Sequence, residues 1–305
     1  MPEADDQTAP CHQPQASPPC SARFPSVPSV PTPIKHVFDK FPLITYPSNQ
    51  LPRRIAGRSE NHTLYVFTTT RGAARGAPSF NPQCLKWQAY LKFVGIAFET
   101  VASNNHASPT GALPFLLPAP SSAASSGDPL APIHSSKIQK WAIEQFHAEE
   151  EQQLGMRFDV YSSLLDHRIR NAWLYMFYLD SENFNNIGKK LYIDPSTSNP
   201  LVRTILAHQL QQAARSELLK YSPCIDPDDL EAEANSALQA LSSLLGDNNQ
   251  FFGSKGPGLF DASVFAYTHL LLDEHLNWKQ NFLGRYLRRY PNLVHHRQRI
   301  LDTYF

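Results

Sequence analysis

The strongest constraint on what this chain can fold into is a proline at the mouth of a strand. Gly111-Ala112-Leu113-Pro114-Phe115-Leu116-Leu117-Pro118 is an apolar run entered through a Leu-Pro bond. Proline lacks a backbone N–H and fixes φ, so inside a sheet it is confined to a strand's first residue or an edge. An X-Pro bond is also the one peptide bond that adopts cis cheaply, at about 0.5–1 kcal/mol. What precedes it reads as strand, helix, strand. Leu64 to Thr70 is aromatic and β-branched, a strand signal, and Arg71 to Pro82 reads as a loop. Asn81 is placed to cap a helix with Pro82 at its first position, and Trp87, Tyr90, Leu91 and Val94 recur at helical spacing before Gly95 ends it. Ala97 to Val101 is the second strand.

From Ser135 onward the pattern is helical almost to the end. Asp226-Pro227-Asp228-Asp229 opens a helix with a cap, a proline and first-turn acids, and Leu230, Ala234, Ala237, Leu238, Leu241 and Leu245 form its apolar stripe. Ala262 to Leu272 is apolar on nearly every face until His269, which predicts a helix buried inside a bundle. The order α/β, then all-α, resembles the glutathione-transferase fold, a thioredoxin-like domain followed by a helical bundle, in which the proline equivalent to Pro114 is cis. The expected divisions are a disordered Pro-rich tail over 1–33, an extended docking segment over 34–60, a thioredoxin-like domain over 61–134 with a flexible insert at 119–129, and an all-helical domain over 135–305. Gly258-Leu259-Phe260-Asp261 resembles the transferase capping box, with Asp261 reaching back to the cap amide, a structural role.

Charge and cysteine usage exclude several classes. Lys plus Arg equal Asp plus Glu at 27 each, so no overall field favours nucleic acid. The four cysteines, Cys11, Cys20, Cys84 and Cys224, form no CxxC pair, and neither a disulfide framework nor a zinc site is indicated. Nine prolines fall in the first 33 residues, and acids stand where a cleaved presequence would carry basic residues. No uncharged apolar run approaches the ~20 residues a spanning helix needs, so membrane association is expected to be peripheral.

Two positions are candidates for a vestigial glutathione site. Cys84 stands in the first turn of a helix, where the dipole would lower a thiol's pKa. Ser135 matches the serine that transferases place at a helix N-terminus, although His134 replaces the usual Glu or Gln before it. The plainer readings, packing or a surface thiol for Cys84 and a helix cap for Ser135, are the favoured ones. Glu144-x-x-His147 is half of a di-iron motif without a second half, and the adjacent His295 and His296 cannot share a helix face, so no metal or other cofactor is expected. Lys279 to Leu301 carries Lys279, Arg285, Arg288, Arg289, Arg297 and Arg299 with no acid, a surface suited to anionic lipid or an acidic partner.

Longer motifs carry a narrower likeness. Phe41-Pro42-Leu43-x-x-Tyr46-Pro47, then Ala77-Pro78-Ser79-Phe80-Asn81-Pro82-x-Cys84-Leu85-Lys86-Trp87-Gln88-x-Tyr90-Leu91, then Ser103-Asn104-Asn105-His106-Ala107-Ser108-Pro109 joined to the Pro114 strand, resemble the fungal-type metaxins. The likeness continues through Leu259 to Tyr267 and Tyr290-Pro291-Asn292-Leu293. The resemblance implies a non-catalytic subunit of the mitochondrial sorting and assembly machinery (SAM complex), peripheral on the cytosolic face of the outer membrane, which recognises the β-signal of β-barrel precursors. Its implied partners are a BamA-like outer-membrane barrel subunit, a second metaxin-like subunit, the β-barrel precursor proteins and the membrane surface. Phe41, Leu43, Tyr46, Arg285, Arg288 and Arg289 are the candidate partner contacts. The alternative is a soluble glutathione-dependent enzyme using Cys84 and Ser135; a metaxin-type adaptor outside the machinery is a third reading.

Overall fold

The structure is a computed structural model that describes residues 60–119, 131–147, 155–220 and 222–305. The Pro-rich tail, the docking segment up to residue 59 with Phe41, Leu43 and Tyr46, and residues 120–129 of the insert lie outside the described residues.

Four strands form one sheet in the order β2-β1-β3-β4. β1 (His62–Val66) pairs in parallel with β2 (Phe98–Ala102) and antiparallel with β3 (Phe115–Leu117), which pairs antiparallel with β4 (Ile133–His134). The β-α-β crossover and the proline-entered strand therefore meet on β1. Leu64 and Val66 point into the core with no exposed surface, while Tyr65 on the opposite face stacks on Phe115 at 4.4 Å. β1 is shorter than the aromatic and Thr-rich run suggests. Thr69 Oγ1 accepts from Gly72 N–H at 3.0 Å and starts a short helix, α1 (Thr70–Ala74), inside what reads as a loop. A threonine hydroxyl used as a cap competes with the strand ladder, and here it wins. Ala119, at the first position of the expected insert, is buried and donates its N–H to His62 Nδ1 at 3.0 Å.

α2 (Pro82–Phe93) starts where the Asn-Pro pair directs. Asn81 Oδ1 accepts from Gln83 and Cys84 N–H at 3.0 and 3.1 Å, and Gly95 leaves the helix at φ 77°. After α3 (Ser135–Phe146) the chain is helical. α4 (Met156–Ser163) and α5 (Arg170–Leu174) belong to one helical run, each followed by wide turns bonded i to i+5, Leu164–Ile169 and Tyr175–Leu179. Asp180 breaks that run and caps α6 (Ser181–Asn183), which continues in wide turns over Phe184–Ile193. Buried Asn183 fills all its bonding capacity: it donates to the carbonyls of Met176 and Gln280 and accepts from the amides of Lys279 and Gln280.

The remaining helices are α7 (Pro200–Leu218), α8 (Pro227–Leu245), α9 (Leu259–Leu272), α10 (Phe282–Leu287) and α11 (Pro291–Tyr304). α9 is the centre of the bundle, and its packing against α2 joins the sheet half to the helical half in one core. Its burial includes His269, which the sequence pattern suggests as the end of the buried face; burial drives that imidazole down to about 4, with the nearby Arg297 adding to the effect. Asp261 holds the start of α9. One oxygen accepts from Gly258 N–H at 3.1 Å, and the other from Phe251 N–H at 3.1 Å and the buried His296 Nε2 at 2.8 Å. No described helix is long and apolar enough to cross a membrane.

Candidate functional site

Strand direction decides which residues share an end of the sheet. Tyr65 pairs with Phe115, and Phe115 with His134, so the exit of β1, the entry of β3 and the exit of β4 lie at the same end. That brings the segment after Phe67, the cis Leu113-Pro114 bond and Ser135 to one rim. The C-terminal ends of parallel strands are where open α/β sheets bind ligands, so this rim is the first place to look for chemistry.

The rim is closed around its thiol. Cys84 has no exposed surface and lies against the Phe67 backbone and the Ser79 side chain. Burial pushes the thiol up to about 12, outweighing those two hydrogen bonds, which act in the opposite direction. The sequence position suggests a thiol made acidic by the helix N-terminus. Its burial agrees instead with the packing role open to the same residue. Around Cys84 a neutral polar lattice is complete. Ser79 Oγ donates to Phe67 C=O at 2.6 Å and accepts from Asn81 N–H at 3.2 Å. Gln88, fully buried, accepts from Ser79 N–H and donates to Ala77 C=O, both at 2.9 Å. These bonds fasten the 75–81 loop to α2, which is why buried polar groups are tolerated there.

Aromatic rings cover the lattice. Tyr192 meets Phe67 at 5.0 Å and Phe80 at 5.4 Å, both edge to face, and its hydroxyl accepts from Asn81 Nδ2 at 3.0 Å. Burial holds the Tyr192 hydroxyl well above the usual phenol range, and burial likewise lifts its neighbour Tyr178 to about 12. Both phenols therefore stay protonated, and the Tyr192 hydroxyl is engaged with Asn81. Beside the rings a cleft of about 410 Å³ opens between Thr68, Thr70, Ser103, Lys190 and Tyr192; it includes neither Cys84 nor Ser135.

Ser135 opens α3 at the edge strand, and the cap is not its own. His134 Nδ1 accepts from Ser136 N–H at 3.3 Å and pairs with Ser136 Oγ at 2.8 Å, so the imidazole fills the role read for Ser135. Cys84 and Ser135 thus share an end of the sheet but not a cavity. Glu144 and His147 do not share a helix face, because His147 turns left-handed at φ 53° directly after α3. Among the described residues no cluster of His, Cys, Asp and Glu is arranged to hold a metal. Arg285 on α10 and Arg288 and Arg289 just after it are exposed; Arg289 lies 4.9 Å over the Tyr286 ring, whose hydroxyl donates to Glu231 at 2.6 Å. His296, read from sequence only as a poor ligand, points inward to Asp261 while His295 faces out.

Residues 82–183 match the glutathione S-transferase N-terminal domain family and residues 234–300 the C-terminal domain family, in agreement with the sheet order and the helical half. Residues 29–81 match the family described as SAM35, subunit of the SAM complex. The crystal structure of a β-etherase from Sphingobium covers 79% of this chain and 94% of its own, at 17% identity and a TM-score of 0.47. Among curated relatives, metaxin-1 of Macaca fascicularis is 29% identical over 241 residues, 75% of this chain and 72% of its own. Metaxin-3 of Xenopus laevis is 30% identical over 242 residues, 77% of this chain and 75% of that relative. An identity of this extent to metaxin-3 over most of both chains leads to one conclusion: the chain belongs to the metaxin family.

Proposed function

We propose that this chain is a non-catalytic subunit of the mitochondrial outer-membrane sorting and assembly machinery, acting from the cytosolic side as a peripheral receptor for the β-signal of β-barrel precursors. The observation that carries the reading is the match of residues 29–81 to the SAM35 family, continuous with the transferase-like match that begins at residue 82. The sealed rim supports it. A glutathione enzyme must bring its substrate's sulfur to a group that holds it as thiolate, and here Cys84 has no exposed surface and the open cleft at the rim includes neither it nor Ser135. A scaffold keeps the fold's rigidity without that requirement. In this reading the partners are a BamA-like barrel, a second metaxin-like subunit and the precursors themselves, and the exposed Arg285, Arg288 and Arg289 are partner contacts. β-signals are strands, so recognition by strand addition is the mode to test first.

Affinity isolation of the tagged full chain from mitochondrial outer membranes tests the reading. A barrel protein and a second transferase-like chain should co-purify, and depletion should slow membrane insertion of newly made barrels. Isolation without a barrel partner, together with normal barrel insertion after depletion, would refute it.

A further inference from the structure

We propose that the N-terminal end of α7 is a docking surface for an anionic phospholipid bilayer. Three aliphatic side chains stand in solvent there: Leu201 is 75% exposed, Ile205 57% and Val202 39%. Leu201 and Ile205 are one helical turn apart and present a single stripe. Each is followed three residues on by a polar side chain, Thr204 after Leu201 and His208 after Ile205, so the adjoining stripe of the same helix is polar.

That second stripe forms one wall of a cleft of about 330 Å³ between α7 and the helix of residues 181–193. Thr204, His208 and Gln211 face Ser181, Asn185 and Lys189 across it, and no carboxylate lines it. Three acids near this end of the bundle lie outside the cleft lining. Asp180 caps Asn183, Asp194 pairs with Arg203 at 3.5 Å, and Glu182 accepts from Gln280 at 3.0 Å. Lys189 is the cationic group in the cleft lining, 5.8 Å from the Phe184 ring; Lys190 beside it donates to Asn186.

An apolar stripe beside a carboxylate-free cleft with an ammonium is complementary to one kind of occupant. A phosphate headgroup fits the cleft, and its acyl chains fit over Leu201 and Ile205. A protein helix would need the apolar stripe but not the adjoining cationic cleft. The surface lies on the helical half and does not depend on which proteins the chain assembles with.

Flotation of the purified full chain with protein-free vesicles tests this, using phosphatidylcholine alone and phosphatidylcholine mixed with phosphatidylserine. Binding should favour the anionic vesicles and weaken as salt rises. Leu201→Asp with Ile205→Asp should lower the bound fraction about tenfold or more on both vesicle types. Lys189→Glu should lower it several-fold on anionic vesicles alone. Should the aspartate pair lower the melting temperature, Leu201→Ser with Ile205→Ser replaces it. No flotation of the parent chain, or equal flotation of parent and variants, overturns the proposal. So does loss of self-association or of a protein contact in the aspartate variant while flotation is unchanged. Because the vesicles hold no protein, failure here leaves the assembly reading standing, and failure of barrel co-purification leaves this surface standing.

Discussion

Two polar centres in the core are built on opposite plans. Beneath Phe67, the centre of Ser79, Cys84 and Gln88 is neutral and local: the hydrogen bonds of Ser79 and Gln88 join residues within the 67–88 stretch. At the start of α9, Asp261 accepts from two backbone amides and from His296, which α11 supplies. The first fastens a loop to the helix that follows it. The second fastens the first turn of one helix to the middle of another, 35 residues on. The difference teaches where each half of the fold carries its risk. Losing a neutral hydrogen bond leaves a desolvated dipole, whereas losing one side of a carboxylate–imidazole pair leaves a group that water can no longer reach.

The largest effect should therefore come from Asp261. Asp261→Ala removes the cap of α9 and leaves His296, Gly258 N–H and Phe251 N–H without their acceptor. A loss of about 3–5 kcal/mol in urea unfolding is expected, with Asp261→Asn recovering part of it because an amide oxygen still accepts. Equal loss in the two variants would show that shape, not hydrogen bonding, holds the centre. Gln88→Met, matched in length, should cost about 2–3 kcal/mol, since Ser79 N–H and Ala77 C=O then go unpaired inside the core. If Gln88→Met proves as costly as Asp261→Ala, the contrast between the centres is broken.

A pH titration sharpens the same contrast at His269, next to neither centre's hydrogen bonds but inside the same bundle. Its folded-state pKa, about 4, lies below the unfolded value near 6.5, so the unfolded chain binds the proton first. The neutral imidazole's contribution is complete above pH 6.5 and is lost as pH falls from there toward 4. Between pH 7 and pH 5 the loss should be about 2 kcal/mol, and His269→Asn should remove that part of the slope. An unchanged slope in the variant would transfer the acid sensitivity to another group.

Which of these features could be read beforehand follows from the range of the interactions that make them. The Asn81-Pro82 start, the Gly95 stop, the Asp226-Pro227 start and the reach of Asp261 to Gly258 are local, and local chemistry is written in adjacent residues. The strand-helix-strand unit and the proline-entered strand after it were legible; the order of the strands in the sheet came from the structure. The wide turns after α4 and α5 were not, because they arise where packing overrides an ordinary helical pattern. At the rim, sequence placed Cys84 correctly in the first turn but could not tell that Tyr192, from a helix 108 positions later in the chain, would help close over the loop beside it. Nor could it show that Asp261 has a second partner in His296. Burial, and with it the direction of the Cys84 shift, is a tertiary property.

The smallest expected effect is also the most direct test of the closed rim. A thiol with a pKa pushed up to about 12 and no exposed surface should not react while the protein is folded, although Cys224 is exposed and should. Labelling with iodoacetamide at pH 8 should give the same number of modified thiols in the native parent and in Cys84→Ala. After denaturation the parent should gain one more than the variant. Because the Cys84→Ala change removes only a buried sulfur, barrel co-purification should be unaffected by it. Rapid native labelling that Cys84→Ala abolishes would mean the lattice opens often enough to present the thiol, and the neutral centre would then be the more mobile of the two, reversing the order in which the substitutions above are ranked.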